Sequence, residues 1–223
     1  MRQLTEMGFA LLMAALLVSS AAGQSEAREV GPLARLFPHW QEYLSLPATD
    51  RSHFTLAYVI GSSRSVPAEE IRIWYENGAG ESELVLDAGG QVLNPPDLSV
   101  LAAEPIAWVN QPQGGMSVSL SFQASLELGE EIARLDTLLA LEQANQAMRS
   151  VGGVAALFAP SFKTLVFLFD GAAPAAWAVH ADGSRTPLIV QESQAVYRPN
   201  DRNLRDVDHL VFGRAPVRVL LDS

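Results

Sequence analysis

The sequence predicts an α+β fold with antiparallel sheet, built from two similar units, each a helix followed by about five strands. Three observations carry this. Short runs rich in β-branched and aromatic residues recur between turn signals, the pattern of paired strands. Apolar stripes at helical spacing interrupt them near residues 33–44 and 127–151. The order of elements then repeats: Trp74 to Pro95 is 21 residues and Trp177 to Pro199 is 22, while Pro95 to Ile106 and Pro199 to Leu210 are both 11.

The chain opens with the apolar run Phe9 to Val18, followed by Ser19-Ser20-Ala21-Ala22-Gly23. Such a run is too short for a bilayer core of about 30 Å, and small residues at Ala21 and Gly23 suit a signal-peptidase site. Residues 1–23 are therefore expected to be a cleaved signal peptide, and 24–31 a flexible leader. Residues 32–223 then form a single domain of two half-units, about 32–125 and 126–223. No later segment is long and apolar enough to span a membrane, so the expected product is a soluble periplasmic protein.

Leu33, Leu36, Phe37, Trp40, Tyr43 and Leu44 make one apolar stripe on a helix, which Pro38 breaks or restarts and Pro47 ends. Phe54 to Ile60 is a strand. Ile71 to Tyr75 follows, closed by the Asn77-Gly78 turn. Leu84-Val85-Leu86 is the next strand, and Gly89-Gly90 the next turn. In Asn94-Pro95-Pro96-Asp97 the aspartate suits an N-cap for a short turn through Ala103. Ile106 to Val109 is a strand. Met116, Val118, Leu120 and Phe122 alternate with Ser117, Ser119 and Ser121, which predicts a half-buried strand. Residues 127–151 read as helix, stopped by Gly152-Gly153, with a further helical turn at Val154 to Phe158.

The second unit repeats the order. Thr164 to Phe169 matches Thr55 to Ile60. Ala176-Trp177-Ala178-Val179 matches Ile73-Trp74-Tyr75, and Leu188 to Val190 matches Leu84 to Leu86. Arg198-Pro199-Asn200-Asp201 matches Asn94 to Asp97. Leu210-Val211-Phe212 matches Ile106-Ala107-Trp108, and Val217 to Leu221 matches Val118 to Phe122.

Composition removes several functions. With no cysteine there is no disulfide, thiol catalysis or Cys-ligated metal. A net charge of −10, with one lysine (Lys163), disfavours nucleic acid and anionic lipid. The four histidines, His39, His53, His180 and His209, have no metal-ligand spacing. No nucleophile elbow, Walker loop or dinucleotide fingerprint occurs. No metal and no cofactor is implied.

The candidate catalytic residues are Asp97 and Asp201, which occupy matching places in the two units. Paired carboxylates serve as general acid and base, and the competing reading makes both helix caps. The candidate ligand-binding residues are Trp74, Trp108 and Trp177, which a groove would need and a core would equally bury.

Arg198-Pro199-Asn200-Asp201-Arg202-Asn203-Leu204, running into His209-Leu210-Val211-Phe212, resembles a small family of exported proteobacterial proteins defined only as a domain of unknown function. The Gly152-Gly153 helix end with Phe158 and Pro160 is similar to that family too. The resemblance covers roughly residues 130–215. It implies a periplasmic location and transfers no catalytic residue.

The expected function is non-enzymatic binding, either of an envelope protein partner or of a small apolar ligand. The alternatives are a hydrolase using Asp97 and Asp201, and a structural component of the envelope.

Overall fold

The computed structural model describes residues 27–151 and 161–223. The expected signal peptide, the Gly152-Gly153 stop and the turn at Val154 to Phe158 lie outside them. The strands in chain order are β1 (Arg28–Pro32), β2 (Phe54–Ser62), β3 (Ile73–Asn77), β4 (Gly80–Glu83), β5 (Ile106–Val109), β6 (Met116–Ala124), β7 (Glu131–Ala133), β8 (Thr164–Leu168), β9 (Ala176–His180), β10 (Arg185–Pro187), β11 (Ile189–Gln191), β12 (Gln194–Tyr197), β13 (Val207–Phe212) and β14 (Arg218–Asp222). The α-helices are α1 (Trp40–Ser45), α2 (Leu98–Ala102) and α3 (Arg134–Val151).

The fold is mixed α+β, and the ladders between named strands are antiparallel. A six-stranded sheet runs β11-β12-β8-β14-β6-β2. Two four-stranded sheets run β1-β5-β3-β4 and β10-β9-β13-β7. Isolated bridges from Val59 to Gln91 and from Leu86 to Val92 continue the large sheet beyond β2.

Alternation decides which side of the large sheet is core. On β2, Phe54, Leu56, Tyr58 and Ile60 are all buried on one face. The same face of β8 carries Leu165 and Phe167, and that of β14 carries Val219 and Leu221, all buried. These residues join the inward sides of both small sheets, Ile73, Tyr75, Ala107 and Val109 in one and Ala176, Ala178, Leu210 and Phe212 in the other, in one continuous cluster. The outward side of β6 carries Ser117, Ser119 and Ser121, as the alternation predicts.

The stripe at 33–44 forms in two pieces. Leu33–Leu36 is one 3-10 turn, and α1 starts at Trp40 after Pro38. His39 joins them with φ of 65°, the left-handed region that non-glycine residues enter only at some cost. Both pieces still bury the expected face: Leu33, Leu36, Phe37, Trp40 and Tyr43.

Several local expectations are corrected. Residues 28–31 belong to no flexible leader, because β1 pairs with β5. Residues 131–133 are strand and not helix, because Ile132 pairs with Leu210 of β13. Hairpin pairing falls on Gly80–Glu83 and not on Leu84 to Leu86, because the tight turn after Asn77 starts the return strand at once. The same displacement puts β10 ahead of Leu188. Strand β12 was unforeseen. Among the described residues the second half therefore carries eight strands, β7 to β14, against the expected five or so.

Candidate functional site

The sequence-derived site residues line neither of the two described hollows in the structure. Asp97 is the N-cap of α2, and its carboxylate accepts the Val100 amide at 2.9 Å and the Ser99 hydroxyl at 2.7 Å. Those bonds, the amide first, hold the exposed carboxyl below the ordinary aspartate range. An acid stabilised as its anion is a poor proton donor at neutral pH. Asp201 stands before the 3-10 turn Arg202–Leu204 and makes no side-chain cap. Neither residue lines the cavity described below.

The three tryptophans lie on the small sheets. Trp74 and Trp108 are partners across the β3–β5 ladder, and both are half-buried. Arg72 lies over the Trp74 ring at 5.6 Å while its guanidinium bonds both carboxylate oxygens of Glu83 at 3.0 and 2.9 Å. Trp177, also half-buried, sits in the other small sheet with Arg185 over it at 5.9 Å. Their strand neighbours Ile73, Tyr75, Ala176 and Ala178 take the core side. Alternation therefore sends the indoles to the outward sides of two different sheets.

The concave apolar site lies elsewhere. A cavity of about 230 Å³ opens between α1, β2, β6 and α3. Phe54 and Leu56 of β2 and Leu120 and Phe122 of β6 form its floor. Tyr43, Leu46 and His39 form one wall, and Ala147 and Met148 of α3 the other. The cavity has two local causes. The helix α1 is only six residues long and stops at Pro47, so it covers only part of the sheet. The helix α3 presents Ala140, Ala144 and Ala147 to the core, and small side chains leave the wall recessed. Leu120 and Phe122 are consequently only partly buried, although they point to the core side.

The walls are fixed before any ligand arrives. The Tyr43 hydroxyl donates to the Phe54 carbonyl at 3.0 Å. The Tyr43 ring stacks on Trp40 with centroids 5.0 Å apart and meets Phe54 edge-on at 5.4 Å. Trp40 is held in turn by its indole N–H, which donates to the Pro96 carbonyl at 2.7 Å. Phe122 packs against Phe54 and Phe162. On the other side, Gln143 of α3 accepts the His53 amide at 2.8 Å and donates to the Thr49 carbonyl at 2.9 Å. Asn145 closes a two-bond clamp on the Phe162 backbone, at 2.8 and 2.9 Å. Met148 is the pliable part of the lining, since its thioether chain adapts to irregular shapes.

The chemistry available is that of enclosure. Among the described residues, His39, exposed at the rim, is the one lining side chain with an ionisable ring nitrogen; no carboxylate lines the cavity, and the one hydroxyl, that of Tyr43, is engaged with the Phe54 carbonyl. Among the described residues no three His, Asp or Glu side chains gather as metal ligands. Histidines elsewhere serve local bonds: His180 with Thr186 at 2.9 Å, and His209 with Asp208 at 3.0 Å.

Sequence reasoning misses this site, although it reads Phe54 and Leu56 as strand, Leu120 and Phe122 as the apolar side of a half-buried strand, and Tyr43 as part of an apolar stripe. The one available signal was the run of alanines at 140, 144 and 147 on an otherwise leucine-rich helix face. No family model, no curated protein and no solved structure matches the chain.

Proposed function

We propose that this chain is an exported, periplasmic protein that works by binding, and that it takes a small apolar group into the cavity beneath α1 and α3. The single observation that carries the reading is the preformed apolar cavity itself. An engineered cavity of about 150 Å³ lined by apolar side chains holds benzene. By that scale about 230 Å³ suits an apolar group of roughly ten heavy atoms. Naphthalene is the matching probe. Its binding to the mature protein is expected to be saturable and one to one by calorimetry. The substitution Ala147→Leu should weaken it several-fold by filling the recess. Failure of naphthalene to bind, with the protein folded, ends the reading.

We also read the chain as two copies of one unit. The small sheets support this, since β1-β5-β3-β4 and β7-β13-β9-β10 have the same order under the sequence correspondence. Individual bonds match as well. The amides of Ile60 and Phe169 reach the carbonyls of Gly90 and Ser193. Those of Leu84 and Leu188 reach Ile73 and Ala176, and those of Asn110 and Gly213 reach Arg72 and Ala175. In this reading the cavity forms where the helix of the second unit leans over the sheet of the first.

A second functional reading keeps an envelope protein as the partner. It rests on β11, the edge strand of the large sheet, where Ile189 and Val190 are exposed. Exposed apolar edges pair readily with a strand from another chain.

A further inference from the structure

We infer that the occupant of the cavity is an amphiphile whose head is uncharged and hydroxylated. This rests on the cavity reading above and adds the head to the tail. Leu46, part of the cavity wall, also borders an open depression lined by Gln41, Glu42, Ser45, Leu98 and Ser150. The two spaces therefore share a side chain, and in this inference a molecule anchored under α1 extends its head into the depression. Helical spacing explains the change in character. One side of α1 buries Trp40 and Tyr43, while Gln41, Glu42 and Ser45 take the exposed side.

The lining sorts possible heads. Among the described residues, Glu42 is the only charged side chain in the depression, and neither Lys nor Arg lines either space. An anionic head would meet a carboxylate with no countercharge. The serine hydroxyls already donate within their own helices, Ser45 to the Gln41 carbonyl and Ser150 to the Ala147 carbonyl, each at 2.8 Å. Their remaining capacity is to accept. The Glu42 carboxylate accepts only, and the Gln41 amide both accepts and donates. A head that mainly donates but also accepts matches this set. Hydroxyl groups do both, whereas an ammonium only donates and leaves the Gln41 N–H groups unanswered. The apolar part is bounded by the cavity at roughly ten heavy atoms.

Calorimetry with four probes on the full mature protein tests this: naphthalene, and three eight-carbon chains, 1,2-octanediol, octanoate and octylammonium, at neutral pH. The diol is expected to bind about tenfold tighter than octanoate and several-fold tighter than octylammonium, the worth of one or two hydrogen bonds. Glu42→Gln should close most of the gap between diol and octanoate and leave naphthalene unchanged. If naphthalene binds and the three chains bind alike, or if either charged chain binds tightest, the head assignment is overturned while the cavity reading stands. If naphthalene fails to bind the folded protein, the cavity reading falls, and the head assignment falls with it.

Discussion

Two buried tyrosines show how much the partner of one hydroxyl decides. Tyr58 donates to the Pro38 carbonyl at 2.6 Å, just before the left-handed His39. Tyr197 is fully buried, and among the described residues neither its hydroxyl nor the nearby Arg134 Nε meets a hydrogen-bond partner. Tyr58→Phe leaves a carbonyl unpaired and should cost about 1–2 kcal/mol in urea denaturation. Tyr197→Phe removes an unmet polar group and should be neutral or stabilising in the same assay. A loss as large as that of Tyr58→Phe would mean that Tyr197 has a bound partner. Burial first, and then the charge of Glu42, push the Tyr58 phenol far above its usual range. Burial also raises the Tyr197 phenol, with Arg134 opposing. The folded state thus holds these protons while the unfolded chain releases them near pH 10. This stability is fully present below about pH 10 and is lost as pH rises beyond it. Each Tyr→Phe variant should show a shallower alkaline loss than wild type. Asp97 has the opposite sign. Its carboxyl is held low by the Val100 amide and Ser99. The cap therefore stabilises above the ordinary aspartate range near pH 4 and is lost as pH falls through the lower folded value. Asp97→Ala should lower Tm at pH 7, by an amount that shrinks in acid. Asp201→Ala, which removes no cap bond, should leave Tm nearly unchanged.

At the scale of elements, Gly90 and Asn145 hold segments that propensity alone would not. Gly90 has φ of 81°, and a Cβ there would lie 2.2 Å from the Ile60 carbonyl oxygen. Gly90→Ala should therefore cost about 2 kcal/mol or more, because backbone must move on both sides. Asn145→Ala opens the clamp on Phe162 and leaves two backbone groups unpaired, for about 1–3 kcal/mol. A Gly90→Ala variant as stable as wild type would show that the bridge to β2 is dispensable. Such elements also mark what the sequence could disclose. Strands β2, β5 and β6 and the start of α1 were legible because their signal is local: alternation, β-branched density, a proline stop. Strand β7 was not. Its Ile132 stands three and seven residues before Leu135 and Leu139, a spacing that also suits a helix, and only the ladder to β13 makes the segment strand. The same holds for β1, whose partner β5 lies far along the chain. Turn chemistry displaced β4, since register is set by the tight turn and not by where the apolar run sits. The cavity was the least legible feature. It is defined by what Ala147 and the short α1 fail to fill, and a void has no residue of its own. The tryptophans were visible as aromatic surface, but their direction depended on which neighbours faced the core.

At the scale of the molecule, the two halves share their interior. Strands β6 and β14 meet in the middle of the large sheet, with Leu221 opposite Phe122 and Leu220 opposite Gln123. Arg218 of β14 reaches Asp87 of the first half at 3.1 Å. The helix α3 packs on β2 and β6 as well as on β7 and β13. One core cluster includes residues from both sides of this junction. Cutting the chain near residue 125 would leave each half with an unpaired edge in mid-sheet and a stripped apolar face. Neither half can bury enough surface alone to offset the entropy of ordering it. The fragments 27–125 and 126–223 should therefore each lack a cooperative thermal transition. Mixed after co-refolding, they should recover one, because β6 and β14 still offer each other complementary edges and α3 still has its bed. Naphthalene binding should return with the transition and not before it, since the cavity takes its floor from one half and a wall from the other. If either fragment folds cooperatively by itself, the shared core is not what stabilises the fold, and the proposed copies are independent domains. If the mixture folds but does not bind, the cavity needs the covalent link between the halves to hold α3 at its proper height above the sheet.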